Sequence, residues 1–324
     1  MGEITFRAAT IDDAELATAV MTAAYPAMAH DPAVTRYRWR TPRRGYSYGR
    51  FIGELDGQAV AFTGWVHGPW DRLPDRHCEV EVWLDRAVPD RGLLKTVWTW
   101  ISQQATAEGA GVLLAYAGED EPDMLEAMAE LGFERDRLDR VSELDLRANG
   151  ERLLREAAEA KAAMAAAGID LITLAEWSDP DKLRKLYELD SITRQDIPHS
   201  LPILTESLAD FELRGRSPDR SPERSWVALD HGRPVALTYL KFPRAGGTVW
   251  TGYTATHTDH RGRGIGKAVK LQSLAQAIEL GVPVVRTDND AENAAMLRIN
   301  RALGYEPRPG FVGHLKRVER RDDG

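Results

Sequence analysis

The sequence predicts an α/β protein of the α+β kind, organised as two tandem and mutually similar domains. Three observations lead there. The chain matches itself at constant spacing: Lys267, Gly281 and Gly304 stand 172 positions after Lys95, Gly109 and Gly132. Ala302-Leu303-Gly304-Tyr305 thereby aligns with Glu130-Leu131-Gly132-Phe133. Earlier segments agree at similar spacing, Val235-Ala236-Leu237-Thr238 with Val60-Ala61-Phe62-Thr63 and Leu171-Ile172-Thr173-Leu174 with Ile4-Thr5-Phe6-Arg7. An internal duplication explains these matches. Strand-like runs also alternate with helix-like ones, and a length of 324 residues suits two domains, each able to bury a core.

The elements follow in order. Residues 1–147 form the first copy. A connector at 148–168 is rich in Ala, Glu, Lys and Arg from Glu151 to Ala167, all good helix formers, and ends at Gly168. The second copy spans 169–318, and 319–324 is a tail. Within the second copy, the breaker-rich run from Arg214 to Pro222 predicts a mobile loop before a strand starting near Trp226. Val249 to Thr256 is β-branched and aromatic, which suits a pleated strand. Ala268, Leu271, Leu274, Ala275 and Ile278 recur at helical spacing and predict an amphipathic helix. Val282 to Thr287 predicts a short buried strand. Asp290 is positioned to cap a helix beginning near Ala291, and Gly304 stands where a C-terminal cap belongs.

Between that strand and the first helix lies His260-Arg261-Gly262-Arg263-Gly264-Ile265-Gly266-Lys267. Glycines there let the backbone approach a ligand, and the free N–H groups opening the helix face an anion. Two familiar glycine motifs do not fit. A P-loop would need a glycine at Arg261 and a hydroxyl at Ala268, and a dinucleotide fingerprint would not space Gly262, Gly264 and Gly266 by two.

Arg261-x-x-Gly264-x-Gly266 matches a Q/R-x-x-G-x-G/A signature, and Asn289, Asn293 and Gly304-Tyr305 follow in the expected order. On these residues the chain resembles the GCN5-related (GNAT) acyltransferase superfamily over roughly residues 170 to 315. The resemblance implies two GNAT-like domains, each a mostly antiparallel mixed sheet flanked by helices. It implies acetyl-CoA as co-substrate, held by Thr256, Thr258, Arg261, Gly262, Arg263, Gly264, Ile265, Gly266, Lys267, Asn289 and Asn293. It places the acceptor over Leu189 to Arg214, where Asp196, His199 and Glu206 are candidates for acceptor recognition. The chain order is also similar to that of mycothiol synthases, tandem members that acetylate an aminosugar conjugate. One departure separates them: Asn300 stands where many relatives carry the tyrosine that protonates the departing thiolate.

The expected reaction is direct attack of a primary amine of a small molecule on the thioester. An alkyl ammonium must first lose a proton, so a base is needed. His257 at the strand end is the candidate base, while Tyr253 and Asn300 are candidate donors to the sulfur. A backbone donor for the carbonyl is expected at Thr256 to Thr258. A sensor that binds acyl-CoA without turnover is the alternative. His257 and His260 have H-x-x-H spacing, but without further ligands no metal is expected.

The first copy lacks the cradle. Arg91-Gly92-Leu93-Leu94-Lys95 is two residues shorter, and Asn289, Asn293 and Asn300 map to Ala117, Glu121 and Met128. One acyl-CoA per chain is therefore expected. A net charge of -8 argues against nucleic acid as a partner. No apolar run suits a membrane span, and no signal-peptide pattern precedes Asp12 and Asp13. The single Cys78 points to a reducing cytoplasm and more to packing than to nucleophilic chemistry. A monomer or homodimer is expected.

Overall fold

A computed structural model describes residues 2–88, 90–199, 201–202 and 204–318; the expected tail at 319–324 lies outside them. The chain divides into two compact units. Unit 1 holds Met1–Asp139, Ser200–Leu204 and Pro309–Gly324, and unit 2 holds Arg140–His199 and Thr205–Arg308.

Unit 1 contains β1 (Thr5–Ala8), α1 (Ala14–Ala24), α2 (Pro32–Arg40), β2 (Ser47–Leu55), β3 (Gln58–His67) and β4 (His77–Leu84), followed by α3 (Arg91–Ala107), β5 (Val112–Gly118) and α4 (Pro122–Glu130). Strands β1 to β4 pair antiparallel in sequence order, and β5 joins β4 in parallel. Beyond β5 lies the last strand of the chain, β12 (Glu306–Arg317), antiparallel from Phe311↔Gly118 to Arg317↔Val112. Helix α3 packs on the sheet through Leu94, Val97, Trp98 and Ile101. Cys78 is fully buried in that core, which pushes its thiol up to about 12 and leaves it unreactive.

Unit 2 repeats the pattern. After β6 (Glu134–Asp145) come α5 (Leu146–Ala166), β7 (Ile169–Thr173), α6 (Lys182–Arg194), α7 (Leu208–Gly215), β8 (Ser225–Asp230), β9 (Arg233–Lys241) and β10 (Val249–Thr256), then α8 (Ile265–Glu279), β11 (Val284–Asp290) and α9 (Ala294–Leu303). Its strand order is β7-β8-β9-β10-β11-β6. The sixth strand position of each unit is thus filled from the other half of the sequence, β12 beside β5 and β6 beside β11.

Two local expectations change. The segment expected as a connector belongs to the unit 2 core: Leu146, Leu153 and Ala157 of α5 are buried with Leu271 and Leu274 of α8. Because α5 covers α8, the latter is buried on more than one side and is not simply amphipathic. Its buried polar groups are satisfied, Gln272 donating to the Ala157 carbonyl at 2.8 Å and Ser273 to the Lys270 carbonyl at 2.9 Å. The run expected as a mobile loop is pinned: the Arg220 guanidinium lies 3.6 Å above the Tyr239 ring, and Phe242 N–H donates to Asp219 O at 2.7 Å.

Candidate active site

Strands β10 and β11 run parallel but pair only at Val249↔Val285 and Trp250↔Arg286. Beyond these residues they diverge, while β10 stays paired with β9 as far as Thr256↔Ala236. The divergence begins where β10 carries a bulge. Gly252 has no cross-strand partner between Thr251 and Tyr253. A Cβ at Gly252 would lie 2.0 Å from the Tyr239 ring, so only glycine fits.

Helix α8 opens beside the end of β10. Gly264 at its N-cap has φ 78°, a left-handed conformation, and offers no side chain to the helix. The first N–H groups of α8 are therefore uncapped, and the helix dipole favours an anion there. Gly266 is fixed by contact: a Cβ would meet Thr256 Oγ1 at 2.8 Å. Ile265 is buried, so only its backbone can serve a ligand. Thr258 is exposed at the start of the turn Thr258–His260.

Each cation of the glycine run has a carboxylate partner. Lys267 Nζ lies 3.0 Å from Glu156, Arg263 lies 3.7 Å from Asp230, and Arg261 pairs with Asp196 while its Nε donates to Thr256 O at 3.2 Å. These pairs are partly exposed and worth about 1 kcal/mol or less each, so a phosphate can displace them.

Asn293 caps α9, its Oδ1 accepting from Met296 N–H at 3.1 Å. The expected cap, Asp290, instead holds the preceding turn through Glu292 N–H at 2.7 Å, and the helix starts at Ala294 rather than near Ala291. Asn300 is 2% exposed. Its Nδ2 donates to Asn289 Oδ1 at 2.6 Å, and its Oδ1 accepts from Lys270 Nζ at 2.6 Å. Sequence reasoning missed Lys270, an ionisable residue inside an apolar helical stripe. Burial lowers its pKa to about 7.

The catalytic candidates are engaged elsewhere. Tyr253 donates to Thr193 Oγ1 at 3.0 Å beneath the Arg194 guanidinium, and burial pushes its phenol up to about 12. His257 Nδ1 accepts from Asp259 N–H at 3.3 Å, which leaves the proton of a neutral ring on Nε2. Its own N–H donates to Val235 O at 2.7 Å, so that donor is taken.

On the acceptor side, Glu206 and the buried Asp190 share Arg214, at 2.9 Å each. Asp196 is held by Arg261, and His199 is exposed. The structure thus groups the glycine run, Thr256, Asn289 and Asn300 around α8, leaves Asn293 as the α9 cap, and ties Glu206 into a separate ion network.

The corresponding end of α3 in unit 1 is closed. Asp90 caps it, one carboxylate oxygen accepting from Gly92 N–H at 2.7 Å and Leu93 N–H at 3.2 Å. Ala117 and Met128 are buried in the core, and the Glu121 carboxylate accepts from Gly118 N–H at 2.9 Å.

Residues 183–305 match the model of the acetyltransferase (GNAT) family. No curated protein matches the chain. Among solved structures, a tandem GNAT protein from the clavulanic acid biosynthesis pathway is similar over 99% of this chain and 100% of its own, with TM-score 0.76 and 18% identity. A GCN5-related N-acetyltransferase from Sphaerobacter thermophilus is similar over 97% of this chain and 95% of its own, with TM-score 0.66 and 17% identity. FemX is similar over 97% of both chains, with TM-score 0.57 and 13% identity.

Proposed function

From the match of residues 183–305 to the GNAT family of acetyltransferases, we propose that unit 2 moves an acetyl group from acetyl-CoA to a primary amine of a small molecule by direct attack. The observation that carries the proposal is the uncapped α8 N-terminus lying beside the divergence of β10 and β11. Backbone N–H groups of residues 265 to 267 would meet a pyrophosphate, with Arg263 and Lys267 exchanging their carboxylate partners for it. The gap between β10 and β11 would take the pantetheine arm beside Asn289 and Asn293.

With His257 N–H already used, the bulge at Gly252 is a second place on β10 from which a backbone donor would serve the thioester carbonyl. Tyr253 follows the bulge; its phenol, pushed up to about 12 by burial and donating to Thr193, is a weak acid for the departing thiolate. His257 becomes a base only if Asp259 N–H releases Nδ1. The acceptor amine would enter over Asp196 and His199. No helix among the described residues is long and apolar enough to cross a membrane.

Calorimetry with acetyl-CoA tests the donor, with one site per chain expected. Release of free thiol across a panel of amines tests the transfer. The engagement of Tyr253 and His257 favours a second reading, an acyl-CoA-binding module without turnover. Tight binding with no thiol release on any amine would establish that reading instead.

A further inference from the structure

Lys270 is 1% exposed, and anion binding at the α8 N-terminus does not require it. Burying an ammonium is unfavourable unless it is fully satisfied. Its Nζ donates to Asn300 Oδ1, and Asn300 Nδ2 donates to Asn289 Oδ1, both at 2.6 Å. The Tyr305 ring, just after α9, lies 4.7 Å from Nζ, and Asp288 on β11 is the charged group whose field reaches it.

An ammonium has donors and no acceptor. The Asn300 amide must therefore present oxygen to Lys270 and nitrogen to Asn289. Asn289 must answer with oxygen, so its own NH2 points away from Asn300. Asn289 stands on β11 beyond Arg286, the last residue paired with β10. We infer that Lys270 is a positioning residue which, through Asn300, locks the Asn289 amide with its N–H pair turned into the β10–β11 divergence, as donors for a carbonyl on the amide-bearing arm of acyl-CoA. This rests on the acetyl-CoA reading above.

The internal duplication supplies independent support. At the same 172-residue spacing, Lys270, Asn300, Asn289 and Tyr305 correspond to Trp98, Met128, Ala117 and Phe133. All four of the latter are buried in one apolar cluster, with the Trp98 and Phe133 rings 5.3 Å apart. Unit 1 closes this part of the fold without polar groups. The polar chain is present only in the unit whose helix N-terminus is open.

Two ligands separate the possibilities: acetyl-CoA, and 3′-phospho-ADP, which carries the phosphates but no pantetheine arm. Titrated calorimetrically with the full chain, Lys270→Met should bind acetyl-CoA roughly tenfold more weakly and 3′-phospho-ADP unchanged. Asn289→Ala should show the same loss and add little to it in the double variant. From about pH 6 to about pH 9 the wild type should lose several-fold of its preference for acetyl-CoA over the fragment as Lys270 gives up its proton, while Lys270→Met stays flat. Unchanged acetyl-CoA affinity in Lys270→Met and Asn289→Ala, or an equal loss of both ligands, overturns the inference. If Lys270→Met does not fold, Asn289→Ala and the wild-type pH series decide it. A wild type that binds neither ligand overturns the acetyl-CoA reading itself, and this inference with it.

Discussion

The α3 and α8 N-termini occupy equivalent places in two copies of one fold, yet they solve the same electrostatic problem in opposite ways. At α3 the orphan N–H groups are satisfied internally by the Asp90 carboxylate. At α8 the cap is a left-handed glycine with no side chain, so the same groups stay open to an external anion. A helix N-terminus needs a negative partner. Whether the chain supplies that partner is what separates the two copies here. The contrast extends inward, where Lys270, Asn300 and Asn289 replace an apolar trio.

The sharpest way to break the comparison is to transplant the α3 solution. Gly264→Asp should install an internal carboxylate at α8 and lower acetyl-CoA affinity about 100-fold or more, while heat capacity scans still show a folded protein. Retained affinity would mean that the N-terminus is not the anion site.

Next in size is the stability effect of Lys270. Its folded pKa, about 7, lies below the unfolded value near 10.5, so between those values the unfolded chain holds more protons. Stability should therefore rise with pH across that window, by up to roughly 1.4 kcal/mol per pH unit, and the penalty is fully present below about pH 7. Lys270→Met should flatten that slope and gain about 2 kcal/mol near pH 6, read from denaturant midpoints. A variant less stable than wild type at pH 6 would show that the polar chain holds the fold together.

Asp90→Ala should cost about 1 kcal/mol of stability and leave the acetyl-CoA stoichiometry at one per chain. A second site in calorimetry would show that the carboxylate alone had closed unit 1. Smallest is Tyr253→Phe, expected to change kcat by less than about threefold, because the phenol is held by Thr193 and is a poor acid. A collapse of kcat with unchanged KM would restore it as the proton donor.

Much of this was legible in the sequence because it rests on local rules. β10 runs from Val249 to Thr256 as its residue types predict, and Gly304 is left-handed at the end of α9. The glycine run opens α8, and the duplication is visible in the repeated strand order of the two units. What was not legible depends on partners distant in sequence. Lys270 looks like one polar position in a helix until α5 covers α8 and Asn300 meets it. Glu206 looks like a free carboxylate until Arg214 reaches it. The Asn293 cap displaced Asp290 by three residues, since both side chains are good caps and the turn between them decides which one is used. The bulge did carry a signal, a glycine inside a strand, although only the Tyr239 ring explains why it is needed.

The exchanged sixth strands bear on how the molecule is made. On a ribosome the first 130 residues emerge with α3 and β5 ready to pack, but β5 has an open edge until Phe311 to Arg317 arrive. Unit 1 therefore cannot finish folding before β12 has been synthesised, and its closure is a contact between residues about 200 positions apart. A fragment ending at residue 147 should leave that edge bare and self-associate, whereas a circularly permuted chain that joins β12 ahead of β1 would supply the edge first. The two copies of this duplicated chain have thus been able to diverge at their helix N-termini, but neither half can easily be shed.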